Sequence, residues 1–203
     1  MGSVVFGLFR PAPTTPISAP IEGSRVHLRE PRTKDWRAWA ELRAASREFL
    51  EPWEPGWPAD ALSRAAFRRR LRRQEQESRD STGYSFLVFR RGDDALLGGV
   101  TLNNVRRGIT MSCSLGYWIG APHARQGLMT EALRQMLPYV FDTLGLHRLE
   151  AACLPTNVAS RRLLKRLEFR EEGYARGYLR INARWHDHLL FALLSTDYRK
   201  EPR

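Results

Sequence analysis

Apolar side chains change their spacing along the chain, and these changes divide it into strands and helices. Residues 25–31, RVHLREP, alternate between apolar and polar and predict a first strand. Residues 33–50 repeat apolar side chains at helical spacing and predict a capped helix, which the proline-rich loop EPWEPGWP ends. A second helix is predicted over 59–79, with a narrow apolar stripe formed by Leu62, Ala66, Phe67 and Leu71.

The middle of the chain predicts three strands followed by a long helix. The strands are YSFLVFRR, ALLGGVTLNNV and SCSLGYWIG, and the turn signals between them predict an antiparallel meander. From Gly127 to Gly145 the spacing changes to a wide apolar face, which predicts a helix buried against a sheet. Pro138 should kink this helix because it lacks a backbone donor, and Gly145 should end it.

The remaining segments predict the strand HRLEAACL, the helix TNVASRRLLKRLEF and a closing hairpin. A helix that joins two strands makes them parallel neighbours in one sheet, so one parallel pair lies within otherwise antiparallel structure. The pattern predicts an α/β (α+β) domain over 25–198, with about seven strands and about four helices. Residues 1–24 contain four prolines and predict a loose arm, and 199–203 form a tail.

The chain of 203 residues carries 33 Lys and Arg against 22 Asp and Glu, a net charge of +11. This charge favours anionic partners such as phosphorylated cofactors, nucleic acid or ribosomal surfaces, although solvated arginines from an arginine-rich proteome explain it equally well. Much of the excess lies in the run 68–73. Because no zinc-knuckle, RNA-recognition or KH motif accompanies that run, direct nucleic-acid binding is unsupported.

Two cysteines, Cys113 and Cys153, are too few for a disulfide framework and are expected to be reduced core thiols in a cytoplasmic protein. The apolar start VVFGLF lacks a basic leader and is too short to span a bilayer. Neither secretion nor membrane insertion is expected. Oligomeric state cannot be read from the sequence, and monomer and dimer both stay open.

The stretch HARQGLMTEAL places Gly127 where a strand-to-helix turn becomes a helix. A helix N-terminus has backbone N–H groups without intrahelical partners and a partial positive charge, which together favour a diphosphate. Arg125 adds charge, while Gln126 and Thr130 add hydrogen-bonding groups. A turn that binds nothing is the alternative. The pattern is neither a Walker loop nor a dinucleotide-binding fingerprint.

The hexapeptide ARQGLM resembles the acetyl-CoA pyrophosphate loop of the GNAT N-acetyltransferases, in which Gln/Arg-x-x-Gly-x-Gly/Ala is usual. Gly127 matches this pattern, whereas Ala124 and Met129 depart from it. Together with LGYWIG, HRLEAACLPTNVASRRLLKRLEF and REFLEPWEP, the loop resembles the RimJ/RimL branch, which acetylates N-termini of ribosomal proteins. The resemblance runs from about residue 25 to 198 and implies the GNAT fold, with a splayed parallel pair. Glu168 stands where that family usually has glycine.

The resemblance also implies acetyl-CoA as cosubstrate, with no metal. Pantetheine is expected to lie between the splayed strands and to pair with main chain. Asn157 and Ser160 match positions near the thioester, although Asn157 alone is also a typical helix cap. The implied cofactor-binding residues are Tyr117, Trp118, Ile119, Arg125, Gln126, Gly127, Leu128, Met129, Thr130, Asn157 and Ser160.

Two residues are candidates for catalysis by that resemblance. Glu150 would act as the base, directly or through water, unless it is only a salt-bridged carboxylate facing solvent. Ser160 would donate a hydrogen bond or a proton to the departing thiolate. Glu51, Trp53 and Glu54 are candidates for contact with a cationic peptide N-terminus, although tryptophans in this loop could equally cap the core.

The two histidines of WHDH, His186 and His188, share a strand face. They lack a third ligand, so no metal site is expected there.

An α-amino group has a pKa of about 7.7–8.0 and lysine about 10.4, so a site with one modest base favours a protein N-terminus. The expected reaction is acetyl transfer to the α-amine of a ribosomal protein that begins with alanine or serine. Two alternatives stay open. One is a GNAT acetyltransferase for a small-molecule amine such as an antibiotic or nucleotide, and the other is a non-catalytic acyl-CoA-binding or ribosome-docking module.

Overall fold

The computed structural model describes residues 19–199. Residues 1–18 of the expected arm and 200–203 of the expected tail lie outside the described residues. Within this range the fold is a mixed α/β arrangement around one sheet.

Eight strands form the sheet, in the order β1-β2-β3-β4-β5-β6-β8-β7. The sequence predicts about seven. The additional strand, β1, pairs antiparallel with β2 and lies in the segment expected to be a loose arm. The strands are β1 Ile21–Glu22, β2 Val26–Arg29, β3 Tyr84–Arg90, β4 Leu96–Arg106, β5 Ser112–Ile119, β6 Arg148–Cys153, β7 Arg170–Ile181 and β8 Arg184–Leu194.

Six α-helices accompany the sheet in the described residues, against about four predicted. The predicted helix over 33–50 is interrupted at Ser46 and forms two helices. A further helix of four residues follows the last strand. The second predicted helix begins at Arg64 because the Ser63 hydroxyl accepts a hydrogen bond from the amide of Ala66 and caps it. The helices are α1 Trp36–Ala45, α2 Arg47–Leu50, α3 Arg64–Arg79, α4 Leu128–Pro138, α5 Val158–Arg166 and α6 Ser195–Tyr198.

Pro138 interrupts the long helix as the sequence predicts. The α-helical pattern ends at this residue, and one π-helical turn, Tyr139–Thr143, continues the chain. Proline cannot donate to the carbonyl four residues earlier, so the regular i−4 pattern is broken at this residue, and the turn that follows uses i−5 bonds. The amide of Leu144 accordingly bonds to the carbonyl of Tyr139 at 2.8 Å.

Apolar side chains bury both faces of the sheet. The larger core lies under α4 and α5, and it contains the buried, free thiols Cys113 and Cys153. A smaller cluster on the opposite face is formed by Trp39, Phe67, Leu71, Leu87, Phe89 and Leu96, beneath α1 and α3. Strands β3, β4 and β5 form the predicted antiparallel meander between these two layers.

Strands β5 and β6 are the predicted parallel pair, with α4 as the crossover helix. They pair over three positions only, from Ser112 opposite Arg148 to Ser114 opposite Glu150. Beyond this point β5 continues to pair with β4, and β6 continues to pair with β8. The two strands therefore diverge, and the splay implied by the resemblance is present.

We expect Gly98→Ala to lower the free energy of unfolding by about 2 kcal/mol or more, as overpacking does. A Cβ at this position in β4 would lie 2.2 Å from the carbonyl oxygen of Trp118 and 3.0 Å from the Cα of Ile119. Both are backbone atoms of β5, so the strands would have to separate. Urea denaturation followed by circular dichroism measures the change. Gly173→Ala in β7 is the control because its Cβ would meet no atom within 4 Å; equal losses in the two variants would contradict the explanation.

Candidate functional site

The gap between β5 and β6 leaves one edge of β5 open. Residues 115–119 pair with β4 on one side and with no strand on the other, among the described residues. Backbone N–H and C=O groups along such an edge need partners, and a bound chain with amide groups can supply them. Tyr117, Trp118 and Ile119 all lie on this edge, as the resemblance implies.

The loop before α4 has the geometry of an anion site. Arg125 and Gly127 have positive φ values of 63° and 76°, so the chain turns sharply before the helix begins. The first helical bond joins the Glu131 amide to the Gly127 carbonyl at 3.0 Å. Within residues 19–199, the three preceding amides, of Leu128, Met129 and Thr130, donate to no protein acceptor. These donors at a helix N-terminus are available to phosphate oxygens.

Arg25 is a candidate site residue that the sequence does not reveal. Its Nε lies 2.7 Å from Glu131 Oε2, and its Nη1 donates to the Gln126 carbonyl at 3.2 Å. Partial burial opposes ionisation of Glu131, but hydrogen bonds from Arg25 and Ser24 outweigh it and lower the pKa of the carboxyl. The ionised Glu131 thus holds a guanidinium beside the loop. The pair joins residues 106 positions apart, so no local pattern indicates it.

A hydroxyl pair bridges the gap from β5 to α5. Tyr117 Oη and Ser160 Oγ are 2.6 Å apart. Burial raises the pKa of Tyr117, with a smaller opposing effect from Ser160, so the phenol stays neutral and can donate. Asn157 Oδ1 accepts from the Ser160 amide at 3.0 Å, which makes it the cap of α5. Backbone and side-chain hydrogen bonds therefore both fix Ser160.

Glu150 lies where the strands diverge, opposite Ser114 in the last pair. Arg148 Nε donates to its Oε1 at 2.7 Å, and the side chain is 45% exposed. It is therefore a salt-bridged carboxylate, as the simpler interpretation expects, and it also borders the gap. Leu149 and Ala151 are in the larger core, so alternation along β6 directs Glu150 to the opposite face, toward α1.

The loop after α2 places two of the three candidate substrate residues in ion pairs. Arg47 Nε binds Glu51 Oε1 at 2.6 Å. Arg43 binds the Glu54 carboxylate, which also accepts from Trp57 Nε1 at 3.1 Å. A cationic acceptor would therefore compete with an arginine at either carboxylate.

Trp53, the third candidate in that loop, is 37% exposed and so does not cap the core. The neighbouring Arg43 guanidinium is buried between aromatic rings. Its Cζ lies 4.3 Å from the Trp57 ring centroid and 4.9 Å from that of Trp118. Cation–π contacts of this kind tie the loop to β5, the strand that borders the gap.

His188 makes local contacts, one of them between its ring and that of Tyr178. His188 is buried, and its Nδ1 lies 3.0 Å from the His186 carbonyl oxygen. No group of three His, Cys, Asp or Glu side chains that could hold a metal occurs in the described part of the chain. Over the same residues, no helix has the length and apolar character needed to cross a membrane.

Comparison with known proteins identifies the family. The model of the acetyltransferase (GNAT) domain matches residues 25–170. The chain is 32% identical over 177 residues to the probable N-acetyltransferase YjcK of Bacillus subtilis, which covers 87% of this chain and 98% of that protein. It is 36% identical over 163 residues to the ribosomal protein uS5-alanine N-acetyltransferase of Escherichia coli, covering 80% of this chain and 84% of that protein.

Among solved structures, Mycobacterium smegmatis RimJ in complex with CoA-disulfide matches with a TM-score of 0.81 and 32% identity, covering 87% of this chain and 85% of that one. The open edge of β5 and the free amides at the start of α4 lie within the matched fold. The chain therefore belongs to the GNAT family and is an acetyl-CoA-dependent N-acetyltransferase.

Proposed function

We propose that this enzyme transfers the acetyl group of acetyl-CoA to the α-amino group of a protein N-terminus, that of a ribosomal protein beginning with alanine or serine. The observation that carries the proposal is the gap between β5 and β6, with Glu150 on one face and the Tyr117–Ser160 pair on the other. The similarity to uS5-alanine N-acetyltransferase supports the acceptor class. The buried free thiols and ribosomal-protein acceptors of the relatives support a cytoplasmic setting.

The cosubstrate fits the unpaired groups of the site. Its pyrophosphate would accept from the amides of residues 127–130, with Arg125, Gln126 and Arg25 beside it. The side chains of Leu128 and Met129 are buried, so these two residues contribute backbone donors. The pantetheine amides would pair with the main chain of Tyr117, Trp118 and Ile119. The first turn of α5, with Asn157 and Ser160, would lie near the thioester.

The proton acceptor and the proton donor of the reaction lie on opposite faces of the gap. The neutral amine attacks the thioester carbonyl carbon from the Glu150 face, so a C–N bond forms, the C–S bond breaks and coenzyme A departs as thiolate. Glu150, directly or through water, accepts the proton that the amine loses. Ser160 lies on the other face, hydrogen-bonded to the Tyr117 hydroxyl. With Tyr117 as the donor in this pair, the serine proton can point to the departing sulfur.

The acceptor must be deprotonated before it attacks. At neutral pH an α-amine loses its proton more easily than lysine by more than two pKa units, about 3 kcal/mol. Glu150 has one carboxylate oxygen held by Arg148, and the same guanidinium also binds the Glu172 carboxylate. A base weakened in this way favours an α-amine, which needs less help to lose its proton, over lysine.

We expect a short peptide that begins with alanine or serine and contains an internal lysine to be acetylated at the α-amine alone. Mass spectrometry with fragmentation locates the added group. The control is the same peptide with its α-amine already blocked, which should gain nothing. Acetylation of lysine, acetylation of an antibiotic or nucleotide amine in place of the peptide, or binding of acetyl-CoA without turnover would each contradict the proposal.

We expect Arg25→Ala to raise KM for acetyl-CoA by roughly 5- to 10-fold and to change kcat little. A half-exposed charge-assisted contact contributes about 1 kcal/mol, and the loss removes uniform binding. Steady-state kinetics with varied acetyl-CoA measures both constants. Arg69→Ala is the matched control, since Arg69 forms a comparably exposed ion pair with Asp60 on the surface of α3. An unchanged KM would show that Arg25 does not contribute to binding of acetyl-CoA.

We expect Ser160→Ala to lower kcat by roughly tenfold or more while the dissociation constant for acetyl-CoA changes less than threefold. Tyr117→Phe should lower kcat by a smaller factor because the serine hydroxyl remains but is no longer oriented. Calorimetry with coenzyme A and single-turnover kinetics separate the two effects. Equal losses in binding and turnover in Ser160→Ala would show that the serine only shapes the cofactor site.

A further inference from the structure

The guanidinium of Arg148 joins two carboxylates, and the proposed chemistry uses only one of them. Its Nε donates to Glu150 Oε1 at 2.7 Å. Its Nη1 and Nη2 both donate to Glu172, Nη1 at 3.0 Å. Glu172 belongs to β7, the last strand of the sheet, and β8 lies between β7 and β6. The second carboxylate therefore reaches the partner of the candidate base from two strands away.

An irregularity in the sheet places Glu172. Glu171 pairs with Phe191, and the next paired residue of β7, Gly173, lies opposite Leu190. Glu172 is therefore the extra residue of a β-bulge and has no partner in β8. Bulges redirect a side chain and are common beside functional sites.

A small side chain of β8 lies between Arg148 and Glu172. Arg148 is opposite Leu194, and the bulge that contains Glu172 is opposite Leu190. The line between the two charged residues thus crosses β8 at residue 192, which is alanine. Ala192 has the same face as Arg148, since residues two apart on a strand share a face. A larger side chain at this position would stand between the guanidinium and Glu172.

Arg148 gives Glu150 a single hydrogen bond. It joins Nε to Oε1, and Oε2 of Glu150 accepts from no protein group within residues 19–199. A guanidinium commonly holds both oxygens of one carboxylate in a bidentate pair. Here the two Nη atoms form that pair with Glu172, which leaves Nε for Glu150. One oxygen of the candidate base therefore stays open to a proton.

The pKa shifts of the two other members follow the same division. The pKa of Arg148 is raised, and the hydrogen bonds to Glu172 are the largest cause. The pKa of Glu172 is lowered, chiefly by its hydrogen bonds from Arg148. The guanidinium is thus engaged more strongly by Glu172 than by Glu150. Isolated exposed ion pairs contribute little, but a bidentate pair within a network of charges keeps a defined geometry.

We propose that Glu172 is a positioning residue for acetyl transfer, which holds the Arg148 guanidinium so that Glu150 keeps a free carboxylate oxygen and its strength as a base. The proposal rests on the proposed role of Glu150 as proton acceptor. Without Glu172, the whole charge of Arg148 would act on Glu150, and the guanidinium could turn to hold both of its oxygens. Either change makes Glu150 a weaker base.

The other charged groups on this face of the sheet do not replace Glu172. Their cations are balanced by carboxylates of their own, in the pairs Arg170–Asp197, Arg43–Glu54 and Arg47–Glu51. Cys113 of β5 interacts with Glu150 but stays neutral, because burial raises its pKa to about 12. His188 shares the face of Ala192 four positions along β8, and its Nδ1 is next to the His186 carbonyl. Glu172 is therefore the carboxylate that offsets Arg148 beside Glu150.

The first test is titration of the glutamate carboxyls of the full chain by ¹³C NMR, with Glu150→Gln to assign the Glu150 resonance. We expect Glu172→Gln to move the Glu150 titration about half a pH unit lower, because one partly screened negative charge is lost. Arg148→Gln should move it higher, because a positive charge is lost. Glu172 is 42% exposed, so glutamine is accommodated there without repacking. An unmoved Glu150 titration in Glu172→Gln would overturn the proposal.

The second test is steady-state kinetics of the same variants with an acceptor peptide. We expect Glu172→Gln to lower kcat roughly fivefold to tenfold, part of the contribution of a general base, with KM for acetyl-CoA unchanged. Glu172→Asp keeps the charge and should restore most of the activity. Asp60→Asn is the matched control, because it takes the carboxylate from an exposed pair with Arg69 on α3. This control should stay within about twofold of the unaltered rate.

Three kinetic results would overturn the proposal. They are an unchanged kcat in Glu172→Gln, an equal loss in Asp60→Asn, and a loss in Glu172→Gln without movement of the Glu150 titration, which would show a structural role only. Full activity of Glu150→Gln would instead contradict the base of the proposed function. The titration needs no turnover, so it separates failure of the Glu172–Arg148 contact from failure of the proposed function.

Discussion

The site depends on the point at which β5 and β6 stop pairing. β5 is held on its other side, where glycines of β4 allow the Trp118 main chain and indole to approach closely. The end of β5 is held again by α1, since Leu42 fills the space beside Gly120 and the Ser46 hydroxyl accepts from the Ala121 amide at 2.9 Å. These contacts keep β5 with α1 and β4, while β6 stays with β8. Unpaired backbone groups in the gap are costly without a ligand, so the arrangement selects one that carries amides.

The same divergence gives the gap two chemically different faces. One face receives hydroxyls, from Tyr117 on β5 and Ser160 on α5, and burial keeps the phenol neutral. On the other face lie Glu150, Arg43 with the rings that surround it, and the loop after α2. A thioester between the strands would thus have a proton acceptor on one side and a proton donor on the other. Separate faces also keep the carboxylate away from the hydroxyl that must stay protonated, which is what acyl transfer requires.

Local patterns predict the elements of this fold because each depends on neighbours in sequence. The change from alternating to helical spacing locates α4, and Pro138 marks where its α-helical pattern ends. Two arginine contacts that shape the site could not be found this way. Arg25 and Glu131 form an ion pair across 106 positions, and Arg43 lies against rings from α1, the loop after α2 and β5. β1 is not predicted because a strand of two residues is too short to show an alternation of apolar and polar side chains. Glu168, which stands where the family usually has glycine, has a φ of 63°, a backbone conformation that favours glycine.

The positive charge of the chain has different meanings in different places. On α3, Arg69 and Arg73 are paired with Asp60 and Glu77, so part of the arginine run is balanced and solvated as an arginine-rich composition would leave it. The hairpin of β7 and β8 is different, because Arg176, Arg180 and Arg184 form no salt bridge with a described carboxylate and alternate with exposed rings. The arginine run is therefore partly neutralised by carboxylates of its own helix and of the preceding loop, whereas the charge of the hairpin arginines is left to the solvent.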